Sequence, residues 1–151
     1  MRIALSSDEV TGVAADLAPA LEGRGHEVLS FGALAPGGGA GGGYEDARWA
    51  WASERAAREV AEGRAELAVV CCWTGTGASI AANKVPGVRA ALCHDAFTAA
   101  GARRWTDANV LALSLRSTSK AELEEILDGF LATPPSAERE DLDNIEHLGQ
   151  I

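Results

Sequence analysis

The stretch Glu66–Lys84, ELAVVCCWTGTGASIAANK, constrains the fold more than any other part of the chain. Leu67 to Cys72 is a short, almost wholly apolar run with two valines. It predicts a strand covered on both faces, as in a parallel sheet. Thr74-Gly75-Thr76-Gly77 then makes a tight turn, and Ala78 to Lys84 has helical composition. A strand that passes through a Gly-rich turn into a helix aims backbone N–H groups and a helix N-terminus at one point. Such a point suits an anion or a polarised oxygen. Cys72 falls at the lip of the turn, where open α/β sheets hold ligands. The sequence therefore places a candidate reactive thiol beside a candidate oxyanion cradle. Two plainer readings stand next to this one. Many such turns only pack a helix on a sheet, and buried cysteine usually serves as a small hydrophobe. No Gly-Lys-Ser/Thr follows, so the turn is not a P-loop, and Ile80 breaks the GxGxxG spacing of a dinucleotide site.

Four more apolar runs have strand character: Arg2–Ser6, Val28–Phe31, Val88–Cys93 and Asn109–Ser114. Helical patterns alternate with them at Thr11–Gly23, Glu45–Gly63, Ala99–Trp105 and Ser119–Ala132. Ser119 with Glu122 reads as a capping box, and Pro134-Pro135 stops that helix. Strand–helix alternation of this length predicts an α/β fold, a doubly wound, Rossmann-like, five-stranded parallel sheet in a three-layer α/β/α sandwich. Residues 1–133 form the domain. Residues 134–151 form a helical tail of the same domain, with Ser136–Ile151 an acidic amphipathic helix lying against another surface. Pro36–Gly43 is a low-complexity surface loop. Trp49 and Trp51, two residues apart, cannot share a helix face; one is expected in the core and the other against a cavity or partner subunit.

Asp8, Cys72, His94-Asp95 and Arg116 all fall at carboxyl ends of strands, where a catalytic site of this fold forms. Asp8 or Ser7 could instead cap the first helix, and His94 could simply bond Asp95. The net charge of -9 argues against nucleic acid or an anionic membrane as partner. No apolar segment has the length of a bilayer span, and Met1-Arg2 runs straight into a strand without a secretory signal. Three cysteines, two of them adjacent, make no disulfide framework and fit a reducing cytoplasm. His26, His94 and His147 are scattered, and nothing has metal-site spacing.

At SIAANKVPGVRAALCHD and DANVLALSLR the sequence resembles the ribose-5-phosphate isomerase B / galactose-6-phosphate isomerase family, from the first strand to the helix after Ser119. The resemblance implies an aldose–ketose isomerase that needs no metal or organic cofactor. It also implies a cis-enediol intermediate, a sugar or sugar phosphate substrate, and a homodimer or tetramer with its active site between subunits. Carried across residue by residue, it makes Cys72 the base, Thr74 a contact to the sugar ring oxygen, and Gly75, Thr76, Gly77, Ala78 and Ser79 the turn that holds the enediolate oxygen. Asp8 and Arg116 match.

The departures have physical content. Glu9 stands where the family has a histidine and remains a candidate acid, base or hydroxyl acceptor. Trp105, in the segment Arg103–Asn109 that should carry the ring-opening histidine, cannot exchange a proton through an indole N–H. Trp73 replaces a glycine. The basic phosphate-gripping motif becomes Glu138-Arg139-Glu140-Asp141, leaving Arg139 alone. Acids there repel a phosphate dianion by on the order of 1 kcal/mol per exposed contact. The expected substrate set is thus Asp8, Cys72 and Thr74 for catalysis, with Glu9, Gly75–Ser79, Trp105, Asn109, Arg116 and Arg139 for binding. The expected substrate is one that needs no ring opening, or a sugar without phosphate. The alternative is a catalytically silent sugar-binding or regulatory homologue.

Overall fold

The computed structural model describes residues 1–37 and 47–151. Most of the glycine-rich Pro36–Gly43 loop, and the first residues of the helix expected from Glu45, lie outside the described residues. The strands are β1 (Arg2–Ser7), β2 (Glu27–Gly32), β3 (Leu67–Cys72), β4 (Ala90–Leu92) and β5 (Val110–Ser114). The helices are α1 (Ala14–Glu22), α2 (Trp49–Ala61), α3 (Thr76–Asn83), α4 (Ala96–Thr106), α5 (Lys120–Ala132) and α6 (Arg139–Leu148). All strand pairs are parallel and the sheet order is β2-β1-β3-β5-β4. This is the doubly wound α/β/α sandwich that strand–helix alternation predicts.

The two faces of the sheet pack differently. One face, under α1, α4 and α5, is built of large side chains: Leu17 and Leu21, Leu123, Ile126, Leu127 and Phe130 close on Ile3, Leu5, Val69, Cys71, Leu111 and Leu113. The other face, under α2 and α3, is almost all small: Ala56, Ala57, Ala78 and Ala82 close on Ala4, Ala68, Val70, Cys72 and Ala112. Small residues let the helix backbones approach the sheet, so α3 sits low over the end of β3. Cys71 and Cys72 alternate across the strand, one into each core.

Four boundaries differ from expectation for identifiable reasons. β4 is only three residues long, because the Asn109 carboxamide accepts from the Arg89 amide and the Asn83 carboxamide brackets both backbone groups of Ala90. α1 starts at Ala14, after a turn in which Gly12 (φ 52) lies so close to Leu115 that a Cβ would meet its carbonyl oxygen at 2.5 Å. α3 starts at Thr76, two residues early, because Gly75 (φ 75) completes the turn in a left-handed conformation. The tail helix is confined to Arg139–Leu148 and buries no residue. The Ser119–Glu122 capping box is present as expected. Neither tryptophan of α2 is in the core. Trp49 and Trp51 are both about half exposed, and the buried stripe of α2 is Ala52, Ser53, Ala56 and Ala57.

Candidate active site at the end of β3

The β3–α3 turn forms the arrangement that strand, Gly-rich turn and helix imply. Cys72 ends β3 with 5% of its surface exposed, and the Ala78 amide in the first turn of α3 donates to its Sγ at 3.4 Å. The other turn amides divide. Gly75 N–H donates to the Cys72 carbonyl at 3.2 Å and Ser79 N–H to the Gly75 carbonyl at 3.0 Å. Those two are spent on the turn itself. The Thr76 and Gly77 amides lack an earlier carbonyl within the helix and are the donors left for a ligand oxygen. Thr74 and Thr76 are exposed, and their hydroxyls share a hydrogen bond of 2.7 Å at the rim.

β1 brings Asp8 alongside. Ser7 pairs with Cys71 at the end of β1, so Asp8, the next residue, leaves the sheet at the strand end adjacent to that of Cys72. Neither Ser7 nor Asp8 caps α1. The N-cap is Val13, without a side-chain bond, and the Ser7 hydroxyl donates to the Glu9 carbonyl at 2.7 Å. Asp8 Oδ1 is buried with no hydrogen-bond partner. Burial lifts the Asp8 carboxyl above its ordinary value of 3.8, the Glu9 charge adds to that, and the amides of Asp8 and Glu9 pull back. Asp8 opens into a cavity of about 420 Å³ whose other walls are Ala47, Arg48, Trp49, Ala50 and Trp51. Cys72 is not part of that wall; its sulfur lies under the α3 turn at the neighbouring strand end. Complete burial pushes the Cys71 thiol well up, with Cys72 and Asp8 adding to it, so Cys71 is the inert member of the pair.

β5 locks the site from the other side. The Leu115 amide donates to the Cys72 carbonyl, and the Arg116 amide and the Ser114 hydroxyl both donate to the Trp73 carbonyl. Arg116 is thereby anchored by its backbone while its side chain is exposed. Trp73, which stands where the family has a glycine, is also exposed. Asp95 caps α4, its carboxylate taking the Thr98 amide and hydroxyl, which hold it below the ordinary carboxylate range. It is not bonded to His94, which stays exposed at the rim.

Three expected binding residues are not brought to this place within one chain. Asn109 immediately precedes β5 at the opposite end of the sheet, and its carboxamide is spent on Gly87 and Arg89. Trp105 lies in the last turn of α4, at that same far end. Its ring lies over Gly101 and meets Phe97 edge-on at 5.9 Å. Arg139 opens α6 and is paired with Asp143 at 2.7 Å. A single chain thus assembles Asp8, Cys72, Thr74 and the α3 turn, with Arg116 at the edge. Sequence reasoning expected one of Trp49 and Trp51 against a cavity but not among the site residues; the structure lays Trp49 against the turn, where a Cβ on Gly77 would meet its ring at 3.0 Å. The signal was available, since Trp49 follows a glycine-rich loop and opens a helix, but only the fold brings α2 over α3.

The sequence profile of the Ribose/Galactose Isomerase family matches residues 3–148. The chain belongs to that family. Galactose-6-phosphate isomerase subunit LacB of Clostridium acetobutylicum is 41% identical over 96 residues, 64% of this chain and 56% of that protein. D-erythrulose-4-phosphate isomerase of Pectobacterium atrosepticum is 39% identical over 75 residues, 50% of this chain and 49% of that one. The chain spans about half the length of the curated relatives it matches. Among solved structures, ribose-5-phosphate isomerase B of Clostridium thermocellum superposes with a TM-score of 0.85 at 31% identity, over 99% of this chain and 96% of that one. The enzyme of Mycoplasma genitalium with bound ribulose-5-phosphate gives 0.81 at 28% identity, over 99% and 93%. Among the described residues no helix is long and apolar enough to cross a membrane, and no cluster of His, Cys, Asp and Glu has the makings of a metal site.

Proposed function

We propose that this protein is an aldose–ketose isomerase that works by proton transfer, without a cofactor, with Cys72 as base. The Cys72 thiolate takes a proton from the carbon next to a substrate carbonyl, leaving a thiol and an enediolate. The thiol then returns a proton to the neighbouring carbon, so nothing is consumed and the carbonyl has moved by one carbon. The observation that carries this reading is the Ala78 amide on Cys72 Sγ, with the Thr76 and Gly77 amides next to it. The same helix terminus that steadies the sulfur offers donors to the developing oxyanion, which is usually the largest contribution in such chemistry. Asp8, with a free carboxylate oxygen at the adjacent strand end, shuttles the proton between the two substrate oxygens. Thr74 bonds a substrate hydroxyl, and Glu9 is a second acceptor.

Binding groups remote from the turn come from a second copy. In a homodimer with the site between subunits, Trp105 and Arg139 of one chain reach the Cys72 site of the other. A tryptophan there serves an open-chain substrate, and a four-carbon ketose 4-phosphate, which cannot close a ring, is such a compound. Three free, buried cysteines fit a reducing cytoplasm. A second reading, a silent sugar-binding homologue, is favoured by the Arg139–Asp143 pair, which occupies the sole basic residue of the expected phosphate clamp. Deuterium exchange from solvent into erythrulose 4-phosphate, ribulose 5-phosphate and ribose 5-phosphate decides between them. The wild type should incorporate deuterium at the carbon next to the carbonyl and Cys72→Ala should lose at least about a hundredfold. Ligand-induced thermal stabilisation without exchange in the wild type leaves only the binding protein.

A further inference from the structure

Resting on the isomerase reading, we propose that the first turn of α2 is a substrate subsite in which Trp49 determines specificity, its ring forming the wall for the uncharged, hydroxylated carbon chain of the substrate. Three observations converge on it. First, the indole lies against Gly77, whose open amide belongs to the oxyanion turn, and any larger residue than glycine would push the ring away. Trp49 is nevertheless 45% exposed, so the ring is held by the turn on one side and free on another. Second, Trp49 and Asp8 line one cavity of about 420 Å³, large enough for a small sugar chain. Aromatic faces with a few convergent polar groups are how proteins hold such ligands. Third, unpartnered buried polar atoms gather here. Ser6 Oγ, Asp8 Oδ1 and Ser53 Oγ are buried without a hydrogen-bond partner, and both serines are fully buried.

The placement of those atoms is specific. Ser6 precedes Asp8 by two residues and shares its side of β1, facing α2 and α3. Ser53 follows Trp49 by four residues and shares its side of α2. Each serine therefore sits next to a lining residue, Ser6 one alternate strand position from Asp8 and Ser53 one helical turn from Trp49, but is fully buried and does not itself line the cavity. Buried polar atoms without partners are rare in folded proteins, and a group of them beside a hollow marks where hydroxyls or ordered water complete the bonding. The carboxylate fixes the chemistry further. An unpaired carboxylate oxygen accepts from hydroxyl groups and disfavours a phosphate dianion on its side of the cavity, so the hydroxylated carbon chain lies against Asp8 and the phosphate away from it, on the side of Arg48, whose guanidinium lies 3.7 Å over the Trp51 ring.

Calorimetric titration of ribulose 5-phosphate and of erythrulose 4-phosphate into wild type, Trp49→Phe, Trp49→Leu and Trp49→Ala tests this, run beside the deuterium-exchange assay. Loss of the ring should raise Kd about tenfold in Trp49→Ala and Trp49→Leu, with Trp49→Phe keeping most of the affinity. KM should rise with Kd while kcat changes less than about threefold, the pattern of a residue that holds substrate and transition state alike. Should Trp49→Ala not fold, as judged by circular dichroism, Trp49→Leu gives the reading. Unchanged affinity in the ring-less variants overturns the subsite whatever the exchange assay shows, as does failure of the wild type to bind either compound. Weakened binding in those variants with no exchange by the wild type keeps the subsite and discards the isomerase.

Discussion

Under the proposed mechanism, Asp8 is the residue at which stability and chemistry conflict. Its Oδ1 is buried without a partner, and its carboxyl titrates above the ordinary 3.8, first because burial disfavours the charge and then because Glu9 is nearby. The sign of the linkage follows directly. A carboxyl with its folded pKa raised keeps a proton that the unfolded chain has already lost, so the fold is weakened as pH rises from 3.8 through the raised value. Above that raised value the ionised Asp8 is a net cost. Asp8→Asn, which keeps the shape and removes the charge, should raise Tm at pH 7 by about 2–4 °C for each kcal/mol relieved. The advantage should vanish as pH falls toward 3.8, where the wild type is protonated as well. Exchange activity should fall by roughly a hundredfold in the same variant. Thermal melts and exchange rates measured across the same pH series check both halves. A loss of Tm at neutral pH would mean that Asp8 is a structural anchor and not a proton carrier.

At the scale of elements, the β3–α3 junction was legible in the sequence because its physics is local. Six apolar residues, a glycine turn and an alanine-rich helix need no tertiary information to be read, and the strand ends that carry Asp8, Cys72 and Arg116 followed from strand–helix alternation alone. What the sequence did not show was the bookkeeping of individual amides: that Gly75 and Ser79 are spent on the turn and Ala78 on sulfur depends on where α3 starts, which shifted by two residues. Nor could it show that α2 overlies α3, because that contact depends on the small-residue core between them. Gly75 carries the junction. It adopts φ 75, and a Cβ there would lie 2.6 Å from Leu92 Cδ1 and 2.8 Å from the Leu113 carbonyl oxygen. Gly75→Ala should therefore lose roughly 2–5 kcal/mol, from strain in the left-handed region plus overpacking. The lower urea midpoint should come with an exchange rate reduced further than that of Gly63→Ala. Gly63 (φ 72) has the same backbone strain but open space around it and no part in the site. The comparison separates backbone strain from displacement of the turn.

For the whole molecule, the unfinished part is the β4 edge. The strand there is short, and exposed apolar side chains collect around it: Ile80 on α3, Phe97 and Trp105 on α4, and Leu148 on α6. Leu148 and Ile151 border a hollow of about 450 Å³ whose other walls include Val88, Ala91 and Ala108. Phe97 and Trp105 support each other edge-on and stay exposed, with no covering element among the described residues. The sequence hinted at this through a tail helix whose apolar residues found no place in the core. It could not show that Trp105, Asn109 and Arg139 lie far from Cys72 of their own chain, because end-to-end placement is set by strand direction rather than by residue type. If a second copy covers this edge, breaking it must also break the site. Phe97→Asp with Ile80→Asp should convert a species of twice the chain mass to one of a single chain mass by light scattering. Both positions are exposed, so the circular dichroism spectrum should be retained. Deuterium exchange should then fall at least about tenfold, and mixing that variant with Cys72→Ala should restore none of it. A variant that stays dimeric moves the interface elsewhere. A monomer with full exchange activity shows that Asp8, Cys72 and the α3 turn of one chain suffice, and removes Trp105 and Arg139 from the site.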